Sequence, residues 1–484
     1  MPSMTSQRLT KVYAGGAWVD SSARSTIPVI NPATEEPIAE VTEGSAQDVE
    51  LAVAAARDAL PSWSATPPAE RGKYVAGIGE ALRHRAGELA ATISTELGVP
   101  RHQAAGFQVS YPLSKFAAYE ELAGAFDWEE RAGSATLLRV PVGVVAAITP
   151  WNFPISQAVD KIAAAMLAGC TVILKPSEVT PVSALAFAEA AAEAGVPAGV
   201  LNLVNGSGCT AGEALVRHPD VDMITFTGST RVGKRIAALA AERVARVSLE
   251  LGGKSATILL DDADLDEAIP AAVKACFLNS GQVCTALTRL LVPRGQLDEV
   301  VTRVKQVAER YTVGDPGTGV DLGPLVSAAQ RDRVQAYIER GIAEGARLVT
   351  GGPGVPDGLD RGYYVRPTVF ADVVSSMTIA QEEIFGPVLS LLAYRDDDEA
   401  VRIANDTPYG LSGAVWSKDT DRAGNLARRL RTGMIKINGA GAAGIPFGGF
   451  KQSGIGREQG RFGLEEFLEW QAITHSPASG LPLK

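Results

Sequence analysis

Cysteine and histidine are scarce: the 484 residues hold four of each. The cysteines (Cys170, Cys209, Cys276, Cys284) form no Cys-x-x-Cys pair, which argues against a disulfide framework or a zinc ribbon. The histidines (His84, His102, His218, His475) show no His-Glu-x-x-His and no ligand spacing, so no protein-held metal is expected. No apolar run reaches the roughly 18 residues of a membrane span, and the first stretch of chain has none suited to a signal peptide. Positive charge is also short. Against 55 acidic residues stand 45 Lys and Arg, and the net charge of −10 argues against nucleic acid or an anionic membrane as main partner. The expectation is a cytoplasmic protein.

What is present is a globular composition, 46% apolar and 21% charged. The chain is too long for one ordinary core, so two or more domains are expected. Gly15-Gly16-Ala17-Trp18 signals a hairpin and Asn31-Pro32-Ala33-Thr34 a turn. Ser45 with Asp48 three residues on is a variant capping box opening an alanine-rich helix to about residue 60. Helical patterns continue over 68–98 and 101–126.

From residue 140 the texture changes. A continuous apolar run at 140–149 is followed by others at 171–174, 201–204 and 223–226, with helical stretches between them. Apolar runs alternating with helices read as βαβ units and a parallel sheet covered on both faces. A second such series runs from 256–260 past 411–415. The predicted fold class is α/β, with two domains meeting near Gly252-Gly253. The tail is Gly-rich over 448–457, and 470–474 reads as a last strand with nowhere local to pair, suited to an oligomer contact.

The stretch Asn279-Ser280-Gly281-Gln282-Val283-Cys284-Thr285 places a cysteine just after a glycine-marked break. A free cysteine is more often a small buried hydrophobe, and Cys170 and Cys276 read that way. Cys209, in a glycine loop, stays open on pattern alone. A cysteine nucleophile commonly works with histidine, but no histidine here lies beside a turn or glycine motif that would put it in a cleft. The remaining means of activation are a carboxylate base, backbone amides or a cationic cofactor. Glu250 ends an apolar run and precedes two glycines, a placement that predicts a carboxylate exposed at a strand end. Gly253-Lys254-Ser255 is not a P-loop, because Ser248 stands where the first glycine is required.

Three loops suit a dinucleotide. Gly206 to Gly212 (including Gly208) is Gly-x-Gly-x-x-x-Gly, one residue longer than the dinucleotide fingerprint and weak by itself. Gly228 and Ser229 precede a helix whose amides would suit a phosphate. Lys175-Pro176-Ser177-Glu178 follows a strand and would suit a ribose. Thr149-Pro150-Trp151-Asn152-Phe153-Pro154 is stiffened by its two prolines, and a stiff loop presenting one carboxamide suits an oxyanion donor.

These stretches, with Glu382-Glu383-Ile384-Phe385-Gly386-Pro387 and the run from Pro446 to Gly454, are collinear and together resemble the aldehyde dehydrogenase superfamily. The resemblance implies an NAD-dependent oxidation of an aldehyde to its acid. Cys284 would be the nucleophile, Asn152 and the Cys284 backbone N–H the oxyanion donors, and Glu250 the base that activates water against the thioester. Lys161 is similar to a lysine used in proton relay. Thr149, Pro150, Trp151, Lys175, Ser177, Glu178, Gly208, Gly228, Ser229, Leu251, Gly252, Glu383 and Phe385 would bind the cofactor. A carboxylate at Glu178 predicts NAD over NADP, with NADP the alternative.

The implied architecture is two Rossmann-like open parallel-sheet domains with a small β oligomerisation arm. Its expected division is 1–122 and 142–252 for NAD, 253–448 for catalysis, 123–141 and 468–484 as arms, and 449–467 returning to the NAD-binding domain. The expected partners are a small aldehyde and a second copy, as homodimer or homotetramer.

Two departures bear on the substrate. The loop 438–445 has no aromatic residue, and Asp160 falls where some members carry a bulky aromatic. Both predict a wider, less apolar entrance, and no arginine pair for a dicarboxylic semialdehyde is evident. The rivals are an acylating relative that transfers to coenzyme A or phosphate, disfavoured by Glu250; a non-catalytic protein that kept the fold; and a cysteine hydrolase, which would form no reduced nicotinamide.

Overall fold

The computed structural model describes residues 8–474, so the ends of the expected outer segments, 1–7 and 475–484 with His475, lie outside the described residues. Two large sheets dominate. The first has eight strands in the order Gly454–Ile455, Arg246–Glu250, Met223–Thr227, Val144–Ile148, Thr171–Lys175, Leu201–Leu203, Lys11–Ala14, Ala17–Asp20. Its five central strands are mutually parallel and almost wholly buried, as expected for a sheet with helices on both faces. From Val144–Ile148 the chain winds one way through Thr171–Lys175 to Leu201–Leu203, then returns to the other side at Met223–Thr227. That reversal opens a crevice at the carboxyl ends of the strands, where such sheets bind ligands.

The second sheet has seven strands in the order Arg347–Thr350, Thr368–Ala371, Val388–Tyr394, Arg289–Pro293, Ala256–Leu259, Ser412–Trp416, Met434–Ile437, all parallel except the first pair. The α/β class with parallel sheets is therefore as read from the sequence. The hairpin at Gly15-Gly16 joins two paired strands. The capping box opens the helix Ala46–Ala65, which runs past its expected end through Pro61.

Three expectations change. The apolar run 140–149 is not one strand: Ala135–Pro141 belongs to a different sheet, and the break falls at Gly143. Gly143 has φ +125°, and an added Cβ would lie 2.0 Å from Asp222 Oδ2, so glycine is required where the chain passes between sheets. The last strand has no partner near it in sequence, as expected, but it pairs within its own chain. Leu468–Thr474 pairs antiparallel with Ala135–Pro141 in a three-stranded sheet completed by Glu129–Ala132. The third change is at residues 101–126. A π-helical segment, Ala104–Ser110, interrupts that pattern before the helix Tyr111–Ala125.

Candidate active site

The two sheets present opposite ends to one another. Glu250 closes a strand of the first sheet, while Gly253, Cys284 and Phe385 precede the strands Ala256–Leu259, Arg289–Pro293 and Val388–Tyr394 of the second. Strand ends of one sheet and strand beginnings of the other thus supply the candidate residues.

Cys284 sits in a turn that the sequence sets up unusually. Asn279 (φ +53°), Ser280 (φ +54°) and Gly281 (φ +74°) are consecutively left-handed, a costly conformation held by its surroundings. An added Cβ on Gly281 would lie 2.1 Å from the Gly386 carbonyl carbon, and one on Gly253 would lie 2.3 Å from Cys284 O. Side-chain amides brace the turn. Asn279 Nδ2 donates to Asn152 O (3.1 Å), and Gln282 Nε2 donates to Asn279 O while its Oε1 accepts from Val326 N. Gln108, from the π-helical segment, donates to Asn152 O at 2.9 Å. Asn152 Nδ2 in turn donates to Gln282 O at 2.9 Å, two residues before the nucleophile candidate.

The thiol is half-buried, and burial together with the Glu383 and Glu250 carboxylates pushes it up to about 12. The Thr285 backbone N–H acts in the opposite direction. With only these neighbours the sulfur is protonated at neutral pH, and a nearby positive charge would promote the thiolate.

Glu250 is not exposed at its strand end, as its position had suggested; it is 2% accessible. Neither carboxylate oxygen accepts a hydrogen bond from a protein group, an arrangement that costs stability. Burial, then the charge of Glu458, raises it well above the ordinary carboxylate range. Gly448 leaves the room it occupies, since a Cβ there would lie 2.7 Å from Glu250 Oε1. Lys161, fully buried, donates to Thr227 Oγ1 at 2.7 Å and forms an ion pair with Glu458. Thr227 is the register partner of Glu250 in the sheet. Glu250, Glu458 and Lys161 therefore form one buried cluster.

Most remaining positions line the carboxyl ends of the first sheet. Thr149 N bonds Lys175 O, and Trp151 O accepts from Thr180. The Trp151 ring meets Phe385 edge-on with centroids 5.3 Å apart, Phe385 being held at φ +64°. Glu383 Oε1 accepts from Gly253 N (3.0 Å), and burial pushes its carboxyl up to about 7. Gly252 and Leu251 are fixed by Ser453, whose Oγ donates to Gly252 O while its carbonyl accepts from Leu251 N. Pro150 lies between Thr149 and Trp151 in the same loop.

Further along, Lys175 pairs with Glu178 at 3.6 Å, and the Ser177 hydroxyl accepts from Val179 N. Gly228 donates its N–H to Glu250 O. Ser229 is the N-cap of the helix Thr230–Ala241, so its hydroxyl is already engaged with Val232 N. Gly208 lines a shallow groove with Ile148, Phe226, Val232, Ile236 and Leu239, apolar walls at the switch point with Glu213 and Arg235 also on its lining, and such walls suit a flat heterocycle. Apolar groove, ribose-type pair and strand-end amides fit a dinucleotide.

Asp160 is not a lone charge at an entrance: it is buried and paired with Lys115 at 2.8 Å. Glu458, Gln108 and the bracing role of Asn279 escaped the sequence reading. For Glu458 the available signal was a lone carboxylate just beyond the Gly-rich tail. No helix of the described residues is long and apolar enough to cross a membrane.

Comparison with known proteins agrees with this geometry. The aldehyde dehydrogenase family model matches residues 18–473. A 3-succinoylsemialdehyde-pyridine dehydrogenase from a Pseudomonas species is 46% identical over 464 residues, covering 95% of this chain and 97% of that protein. Among solved structures, a cysteine-to-alanine mutant of aldehyde dehydrogenase C from Pseudomonas syringae, complexed with NAD+ and octanal, superposes with a TM-score of 0.96. It is 48% identical and covers 98% of each chain. A Mycobacterium tuberculosis aldehyde dehydrogenase complexed with NAD+ gives a TM-score of 0.95 at 44% identity, covering 98% of this chain and 99% of that one. The fold and these likenesses define an α/β oxidoreductase. The chain belongs to the aldehyde dehydrogenase family.

Proposed function

We propose that the protein oxidises an aldehyde to the carboxylic acid with NAD, by way of a thiohemiacetal and then a thioester on Cys284. The observation that carries this reading is the Asn152 Nδ2 bond to Gln282 O. It spends one amide hydrogen on fixing the carboxamide at the cysteine turn and leaves the other for a developing oxyanion.

The Cys284 thiol gives its proton to the Glu250 carboxylate, from which it passes on to Glu458; the sulfur adds to the aldehyde carbon, and the negative oxygen rests on Asn152 Nδ2–H and the Cys284 backbone N–H. NAD, when bound, would supply the hydride acceptor and a positive charge near the thiol. Collapse of the oxyanion would give the hydride to that acceptor and leave the thioester on Cys284. Glu250, ionised, takes a proton from water, whose oxygen attacks the thioester carbon and displaces the sulfur. Lys161 holds Glu458 beside Glu250, giving the proton a second carboxylate to move to. A carboxylate base in that place favours water over coenzyme A or phosphate as acceptor.

Residues of the first sheet hold the cofactor: Lys175, Ser177 and Glu178 at the adenosine ribose, Gly208 at the adenine groove, Gly228 and Ser229 near the pyrophosphate. Thr149 to Trp151, Leu251, Gly252, Glu383 and Phe385 hold the nicotinamide half. The three-stranded sheet, with Trp470 and Ile473 exposed, is the oligomerisation arm of a cytoplasmic homodimer or homotetramer. The test is a panel of aliphatic, aromatic, amino- and semialdehydes with NAD or NADP, followed by absorbance of the reduced cofactor. No reduced cofactor from any aldehyde sinks the reading.

A further inference from the structure

The loop from Gly206 to Gly212 has the look of a phosphate cradle, yet its hydroxyls are turned to a carboxylate. Ser207 Oγ and Thr210 Oγ1 both reach Glu43 Oε1, and Thr210 also lies 3.1 Å from Glu43 O. Glu43 is held there by close backbone contact. An added Cβ on Gly206 would lie 2.1 Å from Glu43 O, and one on Gly44 would lie 2.2 Å from Asn205 O.

The cation beside this loop has no spare capacity. Lys175 Nζ donates to Pro176 O and Gly206 O at 2.6 Å each and pairs with Glu178. Glu178 and Glu43 both act on that ammonium as counter-charges. Arg235, further along the groove, is bound to Glu213 at 2.7 Å. A ribose 2′-phosphate placed here would bring nearly two negative charges against two carboxylates, with the neighbouring cations already engaged.

We propose that Glu43 acts with Glu178 as a paired-carboxylate filter that rejects 2′-phosphorylated dinucleotides, a specificity role outside the chemical step. The inference rests on the reading that Lys175 and Glu178 hold the adenosine ribose. Glu43 differs from Glu178 in reaching the site from the segment before the helix Ala46–Ala65, far away in sequence, and in being held by the loop hydroxyls. A filter of this kind separates two cofactors that share every other contact, by repulsion rather than by added attraction.

The test is Glu43→Gln, which keeps an acceptor oxygen for Ser207 and Thr210 and removes the charge. The expected result is a rise of about tenfold in kcat/KM for NADP, with the value for NAD changed by less than about twofold. An unchanged NADP efficiency, or a parallel change with both dinucleotides, overturns the proposal. The unaltered enzyme gives a second measurement that needs no variant. Adenosine 2′,5′-bisphosphate should compete for the site more weakly than ADP, and the gap should narrow as salt is raised. Equal competition, or a gap indifferent to salt, overturns it too. If the unaltered enzyme binds neither dinucleotide and forms no reduced product, it is the underlying cofactor reading that has failed.

Discussion

Lys161 and Glu458, separated by 297 positions in sequence, meet as an ion pair sealed from solvent. Each comes from a different part of the chain, the helix Pro154–Ala168 and the segment after the Gly-rich tail, and each faces Glu250 through its partner. The pair sets a second carboxylate and an ammonium beside the buried Glu250.

Removing one half of such a pair strands the other. Lys161→Met is expected to destabilise the fold by about 3–5 kcal/mol, because Glu458 is left charged or forced to protonate beside Glu250. Glu458→Gln should cost less, since an amide still accepts from the ammonium. Urea unfolding of both variants measures the difference, and equal, small losses would show that the pair contributes nothing.

Cys284→Ala is expected to abolish aldehyde oxidation and leave NAD affinity within about twofold, as the role proposed for the sulfur is that of nucleophile and not of cofactor ligand. Cofactor binding by fluorescence titration beside a turnover assay checks both halves. Any retained turnover removes Cys284 from the mechanism.

Glu250→Gln should let hydride transfer proceed and slow hydrolysis, so a burst of reduced cofactor precedes a slow steady state. The pH dependence follows from the raised carboxyl. Only ionised Glu250 is a base, so kcat climbs as pH rises toward its elevated folded value, and the Gln variant lacks that limb. Stability runs the opposite way. The folded state keeps a proton that the unfolded chain gives up, so this contribution is full below the ordinary carboxylate range and is lost as pH rises through the folded value. Melting curves at neutral and alkaline pH should show the variant losing less than the parent.

Asn152→Ala removes one of the two proposed oxyanion donors. The expected loss in kcat is about 100- to 1000-fold with little change in KM, and a KM effect larger than the kcat effect would make Asn152 a binding group instead.

Gly253→Ala tests the packing of two segments that enter neighbouring strands of the second sheet. Its Cβ would fall 2.3 Å from Cys284 O, so the nucleophile turn must shift while the core is untouched. A loss of activity beyond about 100-fold with near-parental melting is expected, in line with the sensitivity of attack geometry to displacements of about an ångström.

Much of this was legible beforehand, for reasons that differ by element. Buried parallel strands announce themselves as unbroken apolar runs, which is why Val144–Ile148, Thr171–Lys175 and Met223–Thr227 stand out. The same signal misled at 140–149, where two strands of different sheets abut and only Gly143 marks the join. The stiff loop at Asn152 and the glycine break before Cys284 were visible because prolines and glycines record backbone needs locally.

What pattern could not give was depth. A glutamate at a strand end reads as exposed, and Glu250 is buried because Gly448 and Glu458, about 200 residues later, close over it. Gln108 and Glu43 were hidden for the same reason. Their partners are backbone carbonyls and hydroxyls elsewhere in the chain, and no local rule anticipates them. Ser229, expected near a phosphate from its place before a helix, also caps that helix, a role that uses its oxygen as acceptor and not its O–H.

The strand Gly454–Ile455 lies on the edge of the first sheet beside Arg246–Glu250, and Leu468–Thr474 closes the small sheet against Ala135–Pro141. During synthesis both docking surfaces emerge from the ribosome hundreds of residues before the segments that cover them. A nascent chain halted after the second sheet would carry a correctly made nucleophile turn, an uncapped sheet edge and an unpaired Lys161 in the same molecule. Catalytic competence is therefore among the last properties the polypeptide acquires, and the waiting edge is where chaperone contact or misassembly has its longest opportunity.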